Sequence, residues 1–92
     1  LMAKGDYDAA ETLMRRALGI FEAALGPDHC FTVYSRGGVG GSLLLRGGDT
    51  ASEGRAAVEE ALRVLKTSPH SLPDSHPWIL KLSGWLVSAG DA

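Results

Sequence analysis

Residues Gly5–His29, GDYDAAETLMRRALGIFEAALGPDH, carry the clearest amphipathic pattern in the chain. Gly5 is expected to interrupt the chain, and Asp6 to cap the helix that follows. Gly26-Pro27 is expected to end this helix, because glycine adopts the left-handed conformation at that point and proline cannot extend a helix. The apolar residues recur at intervals of three and four, as on one face of an α-helix: Tyr7, Ala10, Met14, Ala17, Leu18, Phe21, Ala24 and Leu25.

A second segment, Phe31–Leu45, has apolar side chains at helical spacing but carries a run of glycines in its middle. Gly37, Gly38, Gly40 and Gly41 each cost about 0.5–1 kcal/mol relative to alanine inside a helix. The pattern on either side of the glycines is still helical. We therefore predict a helix that frays or kinks near its centre.

Two further helical segments follow. Thr50–Lys66 has apolar residues on one side and charged residues on the other, and a last segment begins near Pro77. The residues expected to cap the last three helices at their N-termini are short and polar: Asp28, Asp49, and Asp74 or Ser75. The predicted fold is all-α, with four helices over residues 6–25, 29–47, 50–66 and 76–89.

The composition excludes several classes of protein. A chain of 92 residues has room for one domain, and a net charge of −2 gives no electrostatic case for binding nucleic acid or an anionic membrane. The single cysteine, Cys30, rules out an internal disulfide and fits a reducing compartment. The longest apolar runs cover only a few residues, as at Leu43–Leu45, so no segment is expected to cross a bilayer. We therefore predict a cytoplasmic protein that contacts neither nucleic acid nor membrane.

Several short motifs recur at similar intervals. Gly-Asp occurs at residues 5–6, 48–49 and 90–91, and Ala-Leu occurs at 17–18 and 61–62, which gives intervals of 42 to 44 residues. An Asp-His or Asp-x-His motif follows the first and third helices, at 28–29 and 74–76, and is interpreted as a helix cap with a packing histidine. A period of this length made of two helices predicts an α-solenoid of antiparallel helix pairs.

The strings GDYDAAE (5–11), RALGIFE (16–22) and LGPDH (25–29) resemble the tetratricopeptide repeat, and are most similar to its 42-residue kinesin light chain-like type. EALRVL (60–65) matches the same pattern in part. The sequence departs from the family at Cys30, where proline is usual, and at Thr50, where an aromatic residue is usual. GVGG (38–41) stands where the family carries an Asn-Asn-Leu-Ala string.

The resemblance implies a single repeat segment over 1–92, cut from a longer array. In that arrangement 5–26 is the second helix of a truncated repeat, 28–66 is a complete repeat, and 74–92 is the leading helix of another. The implied function is a non-enzymatic protein–protein interaction module whose concave face binds a peptide or a partner helix, beside adjoining repeats of the parent chain. The groove residues that the resemblance implies are Ser35, Gly38, Ser42, Leu45, Arg46, Leu80, Gly84 and Val87.

The alternative function is an architectural or sensor section of a larger nucleotide-binding signalling protein, with no ligand of its own in these residues. The glycine run at 37–41 lacks the lysine of a Walker phosphate loop. His29 and Cys30 are sequence neighbours rather than a pair brought together by the fold, and the histidines and Cys30 lack the spacing of metal ligands. We therefore expect no catalytic, cofactor or metal site. We expect Trp78 and Trp85 to serve in packing or in stacking between repeats, the alternative being that one of them is exposed and anchors a partner or the next repeat.

Overall fold

The structure is a computed structural model that describes residues 4–67 and 69–90, and its regular elements there are all helical. They are α1 (Lys4–Leu25), α2 (Cys30–Arg46), a short 3₁₀ turn (Gly48–Thr50), α3 (Ala51–Lys66) and α4 (Pro77–Gly90). The prediction of an all-α fold with four helices is confirmed, and each boundary falls within two residues of the predicted one. Within the described ranges, none of these helices combines the length and the apolar character needed to cross a membrane.

The first helix ends as predicted but begins earlier. Gly26 has a φ of +89°, and its N–H donates to the carbonyl oxygen of Glu22 at 3.1 Å, which closes the last turn. The predicted break at Gly5 and cap at Asp6 are wrong, because both residues lie inside α1. One glycine near a helix end costs only about 1 kcal/mol, which is too little to stop a helix whose later turns are favourable.

The predicted aspartate and serine caps of α2 and α4 are also wrong. The Nδ1 atom of His29 accepts the N–H of Phe31 at 3.1 Å, and Nδ1 of His76 accepts the N–H of Trp78 at 3.1 Å. Each imidazole packs edge-on against the aromatic ring two residues later, with ring centroids 5.0 and 5.2 Å apart. This aromatic contact orients the histidine as the cap, while Asp74 pairs with Lys66 at 3.2 Å.

The start of α3 differs from the prediction as well. Asp49 lies within the 3₁₀ turn, and the residue before the helix is Thr50, which makes no side-chain cap. The Thr50 hydroxyl instead donates to the carbonyl oxygens of Leu43 at 3.2 Å and Gly47 at 3.1 Å. These bonds tie the turn to the end of α2, where carbonyl groups lack helical partners.

Helix α2 lies at the centre of the molecule. Its last residue, Arg46, meets Asp8 near the start of α1, so α1 and α2 run antiparallel. Helix α3 is also antiparallel to α2, whereas α4 runs parallel to it, because Tyr34 meets Trp78 and the later Gly41 meets Trp85. Among the described residues α1 approaches α2 closely but neither α3 nor α4, which leaves a space between α1 and α4.

The expected fraying is absent, since α2 is continuous and buried through its glycines. A Cβ atom at Gly40 would lie 2.6 Å from the Cβ of Ala57 and 2.9 Å from the carbonyl oxygen of Gly54. A Cβ atom at Gly54 would lie 2.5 Å from the carbonyl oxygen of Gly40. The missing side chains therefore let the α2 and α3 backbones approach closely, and the dense packing offsets the low helix propensity of glycine.

The hydrophobic core lies between α2, α3 and α4. It is one cluster to which all three helices contribute: Val33, Leu44, Val58, Ala61, Leu65, Ile79 and Leu82. Helix α1 packs on a different face of α2, through contacts such as Phe21 with Phe31, whose ring centroids are 5.8 Å apart. The position of α1 relative to this core decides the shape of the surface between α1 and α4.

Candidate interaction groove

An open groove runs over α2 between α1 and α4, with a volume of about 350 Å³. We call it the α1–α4 groove. Its floor comes from α2 and its two walls from α1 and α4. The residues that line it are Ala10, Met14, Tyr34, Gly38, Ser42, Lys81 and Trp85.

The floor is formed by three α2 residues spaced four apart, which places them on one helical face. Gly38 has no side chain, and a Cβ atom there would collide with the terminal methyl group of Met14. The hydroxyl of Ser42 donates to the carbonyl oxygen of Gly38 at 3.2 Å, so its polarity is satisfied within the helix. At these two positions the floor therefore has little side-chain bulk and offers little hydrogen bonding.

Aromatic contacts fix the wall on the α4 side. The Trp85 ring packs so closely over Gly41 that a Cβ atom there would overlap the indole. Trp78 stacks on Tyr34 with ring centroids 4.6 Å apart and planes 13° from parallel. Burial raises the pKa of the Tyr34 hydroxyl above its ordinary value. Both tryptophans thus pack against α2, in agreement with the prediction for them.

Lys81 is the one charged residue among those that line the groove. The nearby cation on α2, Arg46, is held by α1 instead, through a hydrogen bond to Asp8 and an ion pair with Glu11 at 3.1 Å. The hydrogen bond to Asp8 and the charge of Glu11 raise the pKa of the Arg46 guanidinium. Arg46 therefore ties the start of α1 to the end of α2, and Lys81 gives the groove its positive charge.

The structure separates the eight residues that the sequence placed in one groove. Gly38 and Ser42 line the α1–α4 groove, while Ser35 is buried on α2. Leu45 lines a second cavity, of about 400 Å³, near the ends of α2 and α4 and the start of α3. The remaining residues apart from Arg46 are exposed on α4: Leu80, Gly84 and Val87.

Five lining residues were missed by the sequence-based prediction: Ala10, Met14, Tyr34, Lys81 and Trp85. The i,i+4 spacing of Tyr34 with Gly38 and Ser42 was a signal that could have found the floor. The wall residues carried no such signal, because Met14 and Trp85 come to line the same groove only after α1 and α4 have each packed on α2. Their separation in the chain hides them from pattern analysis.

The other chemistry in the described residues is limited. Cys30 Sγ lies 3.8 Å from Nδ1 of His29, so these two neighbouring side chains approach each other. That nitrogen already accepts the N–H of Phe31, so its lone pair is occupied by the helix cap. Within residues 4–67 and 69–90, no three His, Cys, Asp or Glu side chains come together in a group that could hold a metal ion.

Comparison with known proteins adds no relationship: no family model, no curated protein and no solved structure matches the chain. The class that the structure itself defines is an all-helical domain with one central helix and a groove across it.

Proposed function

We propose that the chain is a section of an α-solenoid of the tetratricopeptide type and acts as a non-enzymatic interaction module. A protein partner would lay a peptide or a helix in the α1–α4 groove. The arrangement of α2 and α3 as an antiparallel pair, with α4 parallel to α2, supports this proposal, because successive leading helices run parallel in such arrays. The recurrence of one histidine–aromatic cap at the start of α2 and of α4 supports it too.

The observation that carries the proposal is the groove itself. Its volume of about 350 Å³ lies within the usual range of binding clefts, and its lining is mostly apolar with a few polar groups. Lys81 and the Tyr34 hydroxyl provide hydrogen-bond donors at this surface. An apolar side chain between Met14 and Trp85 would supply most of the affinity, because buried apolar contact dominates such anchors.

The experiment selects peptides from a displayed library on the 92-residue chain and then measures their affinity for variants. Ala10→Arg puts a long charged side chain into the groove from a half-buried position of α1, and Lys81→Glu reverses the charge of the groove. We expect Ala10→Arg to weaken binding at least tenfold, because the arginine occupies the volume that the peptide needs. Lys81→Glu should weaken the binding of acidic peptides more than that of neutral ones.

Two matched controls test whether the effects are local. Ala56→Arg makes the same replacement at an exposed alanine of α3, which does not line the groove. Arg16→Glu makes the same charge change at an exposed site of α1 outside the groove. Peptides that bind the Ala10→Arg and Ala56→Arg variants equally well would contradict the assignment of the groove.

A second function is favoured by exposed apolar residues on the two outer helices. Leu13 and Ile20 on α1 lie seven residues apart, as do Leu80 and Val87 on α4, and each is about 60% exposed. Two residues seven apart share a helical face, and a solenoid covers such faces with adjoining repeats. These faces fit either reading of the parent chain: an interaction array, or the architectural or sensor section of a nucleotide-binding signalling protein.

The coding sequence on either side of these 92 residues distinguishes the two readings. Further helical repeats alone would favour the interaction array, and an adjoining Walker loop would favour the signalling protein. We place the module in the cytoplasm, since Cys30 is a free thiol.

A further inference from the structure

The N-termini of α2 and α4 lie at the same end of the molecule and carry the same unusual cap. At each, Nδ1 of a histidine accepts the backbone N–H two residues later at 3.1 Å. An imidazole that accepts at Nδ1 is neutral and carries its proton on Nε2. Both His29 and His76 must therefore be uncharged for the caps to form.

The rings that follow the two caps also join the two helices. His29 packs on Phe31, and His76 packs on Trp78. Phe31 and Trp78 meet edge-to-face, with ring centroids 5.6 Å apart. The contact between α2 and α4 at this end is therefore built from the same residues whose positions the caps fix.

We propose that the two histidine caps form a pH-sensitive clamp that holds the start of α4 against the start of α2. A proton added to the imidazole goes to Nδ1, the acceptor, so the cap bond is lost. The resulting imidazolium also lies beside the positive end of the helix dipole. Both effects destabilise the capped arrangement as the pH falls, and they do so at His29 and His76 alike. Because Tyr34 both stacks on Trp78 and lines the α1–α4 groove, acid would loosen one end of the groove.

Other titratable and charged groups lie on the elements packed around this end. Glu22 on α1 is 3.8 Å from Arg36 on α2, and Lys66 on α3 is paired with Asp74 in the loop before α4. Glu60 on α3 is paired with Arg63 and also feels the charge of Arg36. Further titratable groups near this end are Asp28, Cys30, Tyr34 and His70. A pH range of 7.5 to 5.5 spans the ordinary titration of imidazole, whereas carboxyl groups in free peptides titrate near about 4 and thiols near about 8.5. His70 is therefore the side chain that a control variant must remove.

The test compares thermal unfolding at pH 7.5 and 5.5. We expect the melting temperature of the unaltered chain to fall by roughly 5–10 °C over this range, since two caps are lost. The double variant His29→Asn and His76→Asn should lose much less, because asparagine accepts the same N–H bond and does not titrate. His70→Asn removes the third histidine, which caps no helix in the described residues, and should behave like the unaltered chain.

A second measurement uses the unaltered chain alone, so it stands even if a variant fails to fold. Hydrogen exchange at the amides of Phe31 and Trp78, corrected for the intrinsic pH dependence of exchange, reports the two cap bonds directly. We expect protection at both amides to fall about fivefold at pH 5.5. Equal protection at the two pH values, or an equal loss of stability in the double asparagine variant and the unaltered chain, would overturn the proposal.

Discussion

The substitution Gly54→Ala tests whether close backbone contact between α2 and α3 explains the glycine-rich helix. The new Cβ would lie 2.5 Å from the carbonyl oxygen of Gly40 and 2.9 Å from Cα of Leu44, and closer still to the Leu44 nitrogen. All three are backbone atoms, which cannot turn aside as the end of a side chain can. The two helices must therefore separate by roughly 1 Å to restore ordinary contact, in an interior that is already close-packed.

The expected loss of stability follows from two opposing effects. Overpacking against rigid backbone costs about 3 kcal/mol, and alanine returns about 1 kcal/mol of helix propensity, which leaves a net loss of about 2 kcal/mol. For a domain of this size the melting temperature should fall by roughly 8–16 °C. Urea unfolding followed by far-UV circular dichroism measures the free energy of unfolding, and the folded baseline shows whether the helices remain.

Gly19→Ala is the matched control. Gly19 is an exposed residue of α1, and a Cβ atom there would have no heavy atom within 4 Å apart from its own helix and chain neighbours. Alanine should stabilise the chain at this position by about 0.5–1 kcal/mol, because it has the higher helix propensity. If Gly54→Ala stabilises the chain as Gly19→Ala does, the close-contact explanation is wrong.

Two further predictions concern the core and the attachment of α1. Leu82→Ala should lower the free energy of unfolding in urea by about 2–5 kcal/mol, because Leu82 is fully buried. Leu80→Ala, at an exposed site of the same helix, should change that free energy by less than about 0.5 kcal/mol. Equal effects of the two substitutions would refute the burial assignment. Arg46→Gln should speed hydrogen exchange in α1 and leave exchange in α3 unchanged, because it removes the ion pairs with Asp8 and Glu11. Added salt should speed exchange in α1 of the unaltered chain to a smaller extent and should have no such effect in the variant. Unchanged exchange in α1 of the variant would contradict the role of Arg46 in holding α1 on α2.

The helix caps show why some local features could not be predicted. Asp28 and His29 both lie close enough to the start of α2 to cap it, and the usual preference of N-cap positions for aspartate favours Asp28. The choice depends on where the first turn begins, and the packing of Phe31 against Trp78 helps to set that position. Phe31 and Trp78 are far apart in the chain, so a local pattern carries no information about their contact.

The groove shows the same limit on a larger scale. Gly38 and Ser42 were among the groove residues that the family resemblance implied, and the structure places both on the floor. Leu80 and Val87 were predicted for the same groove, yet they lie on the exposed side of α4. Which side of α4 faces α2 is decided by the fit of Trp85 over Gly41, which requires the assembled helices.

The sequence by itself determined the four helices and most of their ends, because helical periodicity, Gly26 and Pro77 act through neighbours within a few residues. The sequence also indicated that four glycines lower the helix propensity of α2. It did not show the close packing of α2 against α3 that offsets this loss. Only the tertiary structure decided that the glycine-rich helix Cys30–Arg46 lies at the centre and that a groove opens between α1 and α4. Both features arise from contacts between distant segments, where the absence of a side chain on one helix admits the backbone or side chain of another.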